Sequence, residues 1–257
     1  MKNIKVPFSS NLTSTLKKTF LISKGCLLLS FMLVQNASAQ QNKRLFQGDY
    51  DAKTVKFGYF LGLPYTHFNI KFNNYFINKD EVYAITSPGT IGLKMGGLAN
   101  IRLNDYFDFR VLPTVAIYGR KLEYRYVDTD ATTPETMLGE KKELRETAWF
   151  ELPVMLKYKS ERRGNVRMYI FGGLRYAVET NAVNRRNRQQ FTTKNNDFSV
   201  EYGTGIEFFR EYFKFSPELH FSHGIVNLIN PSTASGTAIA GIDRLTTHTV
   251  TLYISFE

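Results

Sequence analysis

IGLKMGGLANIRLN, from Ile91 to Asn104, decides the fold. Ile91, Leu93, Met95, Gly97, Ala99, Ile101 and Leu103 occupy one phase of a two-residue repeat, and Gly92, Lys94, Gly96, Leu98, Asn100, Arg102 and Asn104 the other. Side chains of a β-strand alternate between faces, so a mostly apolar phase against a polar one predicts a strand with one face in oil and one in a polar setting. It is also long, since ordinary strands run to about 5–6 residues.

The same period recurs on both sides. Val55, Phe57, Tyr59, Leu61 and Leu63 precede it; Phe107, Phe109, Val111, Val115 and Ile117 follow. Further apolar phases are Ala148 to Tyr158, Val166 to Val178, Phe198 to Phe208, Phe213 to Phe221 and Val250 to Phe256. That predicts eight strands. Their connections alternate: short at Asn104-Asp105, Lys159 to Asn165 and Arg210-Glu211, long and polar at Asn69 to Thr90, Gly119 to Thr147, Thr180 to Asp197 and Gly224 to Thr247. An even number of antiparallel strands of about ten residues, with short turns at one end and long loops at the other, is the pattern of an all-β, eight-stranded transmembrane outer-membrane barrel.

A soluble barrel would turn the apolar face inward, so the faces must be assigned. Gly58, Gly62, Gly92, Gly96, Gly173, Gly203 and Gly205 share the phase of Lys94, Arg102, Arg110, Glu151, Arg167, Arg175, Glu201, Glu207 and Glu218. Glycine weakens a solvent-facing strand but makes room inside a narrow barrel, here for long charged side chains, so the polar phase is read as the lumen. Those nine residues are expected to form a self-neutralising structural network, with Arg102 or Arg110 pairing with Glu207 or Glu218. His220 is expected to be a hydrogen-bonded member of the same interior. Tyr106, Phe107, Tyr158, Tyr212 and Phe213 gather at the short-turn ends as an aromatic girdle, and Phe256 is placed as a terminal aromatic read by the barrel-assembly machinery. Pro64, Pro113, Pro153 and Pro217 fall inside the runs, although a closed barrel has no edge for a missing N–H. The sequence leaves that conflict open.

Residues 1–39 read as an export signal: lysines without an acid, the apolar run GCLLLSFMLV from Gly25 to Val34, then Ala37-Ser38-Ala39. Residues 40–257 are then one barrel domain. The formal charge of +10 includes five lysines of that leader; without them 28 cations face 23 anions, +5, too diffuse for a nucleic-acid module. The single cysteine, Cys26, lies in the leader, which excludes a disulfide framework or thiolate metal site from the remainder. With 43% hydrophobic and 22% charged residues the chain is folded.

Motifs of chemistry are weak. Gly203-Thr204-Gly205 begins a dinucleotide-like G-x-G but has Phe208 at the third glycine position and sits in a strand. Ser222 and His223 are adjacent and so point to opposite faces of a strand, which prevents a dyad between them. Arg185, Arg186 and Arg188, with Lys194, form a basic run in the third long loop, which reads either as a plain solvated face or as a contact for lipopolysaccharide phosphates or an acidic partner. No catalytic constellation, metal site or cofactor is expected.

Three stretches, NIRLNDYFDFRVLP (100–113), ELPVMLKYKSERRGNVRMYIFGG (151–173) and EYGTGIEFFREYFKFSPELHFSHGIVNLI (201–229), resemble the PorT family, called SprT in gliding bacteria, of the Bacteroidetes type IX secretion system. The F-K-F-S-P-E-L segment is the most specific of them. The resemblance implies an outer-membrane component accessory to the export of proteins with C-terminal sorting domains, and to gliding motility, with other outer-membrane secretion proteins as partners. It brings no catalytic residues. The competing expectation is a small structural or adhesive surface barrel with no part in export.

Overall fold

Lipid offers the backbone no hydrogen bonds, so strands that cross it must satisfy every N–H and C=O among themselves, which only a closed ring achieves. The computed structural model describes residues 45–72, 82–127, 138–180, 194–229 and 242–257 and shows that ring. Its strands are β1 (Val55–Phe72), β2 (Val82–Thr86), β3 (Thr90–Ile91), β4 (Leu93–Arg102), β5 (Phe107–Val111), β6 (Thr114–Val127), β7 (Leu138–Lys159), β8 (Val166–Thr180), β9 (Asn196–Phe209), β10 (Lys214–Gly224) and β11 (Ile242–Phe256). Neighbours pair antiparallel from β7 through β11, β11 pairs with β1, β1 with β3 and β4, and β4 with β5 and β6, which both return to β7. The β3–β4 and β5–β6 pairs are each one interrupted stave, so the ring has the eight staves expected. β2 is an addition that, among the described residues, pairs with the outer part of β6.

The interruptions accommodate the prolines. The Pro64 carbonyl accepts from the Gly92 N–H, so the side of Pro64 lacking a donor faces the break between β3 and β4. Likewise the Pro153 carbonyl accepts from Leu112 N–H, turning the proline nitrogen toward the β5–β6 break that Pro113 itself makes. At Pro217 the β10–β9 pairing passes from Phe215↔Phe208 to Glu218↔Gly205 without pairs between. Each missing donor therefore falls where the neighbour offers no regular ladder.

Faces separate as the alternation requires. Phe57, Ile91, Leu93, Met95, Ile117, Met168, Ile170 and Leu252 are exposed on the outside, while Lys94, Arg110, Glu151, Arg175, Glu201, Glu207 and Glu218 are buried within. The glycines of the inner phase do make room, but for rings more than for charges. A Cβ on Gly205 would sit 2.4 Å from the Tyr169 ring, and one on Gly62 2.7 Å from that of Tyr253.

Strands are longer than the alternation alone suggested. β1 has 18 residues and β7 has 22, against about 9–11 needed to cross a bilayer. The β6–β7 ladder continues to Val127↔Leu138, inside what reads from sequence as a loop, because beyond the membrane both faces of a strand can be polar. Among the described residues the short-turn end carries aromatic contacts, Tyr106 on Tyr158 and Phe213 on Phe256, and Phe256 also stacks on Tyr59.

Candidate functional site

The lumen is filled in tiers. Deepest toward the short turns, Glu207 on β9 receives Lys157 Nζ from β7 at 2.5 Å and Lys214 Nζ from β10 at 2.9 Å, with Arg167 of β8 at 3.6 Å. Lys214 also reaches Glu257 at 2.8 Å, and Lys159 holds Asp108 at 2.6 Å. A 3-10 turn, Gly48–Ala52, lies against this tier. Tyr50 Oη donates to Glu257 Oε2 at 2.5 Å and packs edge-on against Phe209, while Asp51 accepts from Arg167 at 2.6 Å. The Arg162 guanidinium lies 3.7 Å over the Phe209 ring and donates to the carbonyls of Phe46 and Gln47. Burial alone would raise the Asp51 carboxyl, but the hydrogen bond and charge of Arg167 prevail and hold it below its ordinary value.

At mid-height Arg110 and Glu218 form a bidentate pair, Nη1 to Oε2 at 2.7 Å and Nη2 to Oε1 at 2.8 Å. Their strands, β5 and β10, stand on opposite sides of the ring, so the pair is a crossbar through the lumen. Ser255 Oγ donates to Glu218 Oε1 at 2.8 Å. His220 lies between two carboxylates, Nε2 2.8 Å from Glu218 and Nδ1 2.6 Å from Glu201, and its ring contacts those of Phe171 and Tyr253.

Above the crossbar Glu151 accepts from Lys94 at 2.6 Å, Tyr118 Oη at 3.0 Å and Arg175 at 3.2 Å. Arg175 also donates to Ser199 Oγ and lies 3.6 Å from Asp197, which accepts from Thr247 at 2.8 Å. Arg120 rests on the rings of Tyr118 and Trp149. Beyond this tier Phe68, Ile85, Leu122, Leu228, Ile229, Ile242 and Leu245 form an apolar cluster at the long-loop end.

Eight of the nine charges singled out from sequence thus stand in these tiers. Arg102 does not. It is on the inward phase but at the end of β4, half-exposed, donating to the Asp51 carbonyl at 2.7 Å and paired with Asp105 in the turn; it meets neither Glu207 nor Glu218. Of the expected alternatives only Arg110 with Glu218 is a pair. Ser222 turns inward to Ser199, and His223 outward. Arg185, Arg186 and Arg188 lie outside the described residues. Asp108, Lys157, Lys159, Asp197, Lys214 and Glu257 were missed as network members. For Asp108, Lys157 and Lys214 the signal was present, since they share the inward phase.

Removing charges from water costs several kcal/mol per ion, and only partners with good geometry offset it. Carboxylates shared by two or three cations meet that condition, and they leave the lumen occupied by side chains, as expected of an eight-stranded barrel. Among the described residues no group of three or more His, Cys, Asp or Glu side chains converges as metal ligands.

Solved structures similar to the chain include OprG of Pseudomonas aeruginosa (12% identity, 79% of this chain and 92% of that one, TM-score 0.43). Others are the N-terminal β-barrel domain of OprF from the same organism (12%, 76% and 96%, 0.32) and Ail, the attachment invasion locus protein of Yersinia pestis, in complex with the heparin analogue sucrose octasulfate (10%, 79% and 99%, 0.36). A search of curated proteins gave no match. The outer membrane protein beta-barrel domain family matches residues 38–230, most of the chain. With the closed ring, the lipid-facing band and that match together, the chain belongs to the outer membrane protein beta-barrel domain family and resides in the outer membrane.

Proposed function

We propose that this protein is a structural surface barrel that acts through its rims and loops, not through its lumen, and that it catalyses no reaction. The observation that carries this reading is the Arg110–Glu218 crossbar, buried between opposite staves with charged tiers above and below it. A solute path would have to break several ion pairs already stripped of water, each costing several kcal/mol. The loop arginines Arg185, Arg186 and Arg188 are the segment we assign to lipopolysaccharide phosphates or an acidic partner, and Phe256 the residue we assign to the assembly machinery. Purified protein in planar bilayers should give no sustained conductance, and liposomes containing it should not swell in small sugars. Stable channels would overturn the proposal.

A second reading is favoured by Phe213-Lys214-Phe215-Ser216-Pro217-Glu218-Leu219, the segment most specific in its resemblance to PorT. On it, the barrel is an accessory of type IX secretion and its rims engage other secretion proteins. Deleting the gene would then trap proteins with C-terminal sorting domains in the periplasm while outer-membrane permeability stays unchanged. Normal release of those proteins leaves the structural reading alone.

A further inference from the structure

Three histidines stand in one row on the outward face, apart from the lumen tiers. Cross-strand register pairs His67 of β1 with His248 of β11, and His248 with His223 of β10. Their height follows from the strand below. On β1 the outward apolar residues run from Val55 to Tyr65, about 33 Å along the strand and about 25 Å along the normal at the usual tilt, the height of a lipid-facing band. His67 is the next outward position, which puts the row at the outer headgroup level, reachable from outside.

The ring nitrogens are ordered. His223 Nδ1 and His248 Nδ1 are 2.8 Å apart. His248 Nε2 lies 3.1 Å from Asn69 Nδ2, and His223 Nε2 3.0 Å from Tyr202 Oη. One arrangement satisfies all three contacts with both rings neutral: Asn69 donates to His248 Nε2, His248 Nδ1–H donates to His223 Nδ1, and His223 Nε2–H donates to Tyr202. A single proton then lies between two converging nitrogens. His67 stacks on the His248 ring, centroids 5.8 Å apart and planes 22° from parallel, so it steadies that ring and does not share its nitrogens.

We propose that His223 and His248 bind one transition-metal cation of the zinc, copper or nickel class through their Nδ1 atoms, clipping β10 to β11 at the outer rim. Imidazole suits these ions. Two ligands at about 2.0–2.1 Å in tetrahedral geometry stand about 3.3 Å apart, so the pair needs to open by only about half an ångström. The proton on His248 Nδ1 moves to Nε2, where the Asn69 carboxamide accepts it after turning its oxygen inward. His223 Nε2–H already has Tyr202. Each ligand thus keeps the second partner that metal-bound imidazoles ordinarily have, and water completes the shell.

The test uses the protein purified from outer membranes, stripped with a chelator and titrated in detergent with zinc or nickel ions alone by calorimetry. One ion per chain is expected, with a dissociation constant of about micromolar, and a metal-dependent rise in the denaturation midpoint. His248→Ala and His223→Ala should each weaken binding at least about tenfold and abolish the rise, while His67→Ala should keep binding within about threefold. Heat-modifiable migration on gels certifies that each variant is folded; should His248→Ala fail to assemble, His223→Asn on the neighbouring strand answers the same question. No saturable binding, unchanged affinity in the folded His223 variants, or loss of binding in folded His67→Ala would overturn the proposal.

Discussion

At mid-height the lumen is closed by Arg110 and Glu218 reaching across from opposite staves, both fully buried, whereas at the periplasmic mouth it is closed by a chain segment, Leu45 to Ala52, held by contacts that water partly reaches. The crossbar is part of the wall itself and moves only if the ring deforms. The mouth is a stopper hung on Arg162, Arg167 and Glu257. Buried charge is therefore used in two ways: at the waist as a bidentate pair that spans the ring, and at the mouth as the anchor for a segment of chain. A difference of that kind should appear as a difference in energy.

The largest effect is expected from Arg110→Leu, which leaves Glu218 buried without its guanidinium. Breaking a buried pair from one side costs about 3–5 kcal/mol. Urea unfolding in detergent, followed by heat-modifiable migration, measures it. Arg110→Leu with Glu218→Leu should recover most of that loss, since a buried pair replaced by apolar groups of similar volume is often neutral. If the double variant is as unstable as the single one, the contacts of Glu218 with His220 and Ser255 outweigh the pair and the distinction between waist and mouth weakens.

Next comes Arg162→Ala, which frees the carbonyls of Phe46 and Gln47 and uncovers Phe209. A cost of about 1 kcal/mol is expected, with faster protease cleavage near residues 45–52 and an intact barrel. Bilayer conductance should stay at zero in this variant, because the waist remains shut. Conductance appearing here would move the seal from the crossbar to the mouth.

Asp51→Asn should have the smallest effect, below about 1 kcal/mol at neutral pH, because the carboxylate is half-exposed. Its sign with pH is fixed. The folded carboxyl titrates below its ordinary value of 3.8, so its contribution is present above that value and lost as pH falls through the folded one. The stabilities of wild type and Asp51→Asn should therefore begin to converge below about pH 4 and meet only below the folded value. A gap that persists in acid would show that the two differ through packing.

Alternation is local, and local facts were legible. Leu93 beside Lys94, or Phe109 beside Arg110, reveals strand, face and lumen at once, because a period of two needs no knowledge of distant residues. Which cation meets which carboxylate depends on how far the ring is staggered when β1 closes on β11, and no segment of sequence carries that. Arg102 shows the limit: its phase is inward, but its height puts it in the turn. The histidine row was hidden for the same reason, since His67, His223 and His248 become neighbours only through cross-strand register. Strand length beyond the membrane escaped because polar residues on both faces remove the alternation that marks a strand.

The hydrogen bond from Tyr50 to Glu257 joins residues 207 positions apart. Contacts of such separation form late, after most loop-closure entropy has been spent. It needs β11 beside β1, so its formation is expected to report that the cylinder is finished. A barrel still open there is expected to expose Lys214, Glu207 and Arg167, a charged face that the completed protein conceals. Probes of that face, such as a lysine-reactive label on Lys214 during refolding, would time the final closure of the ring.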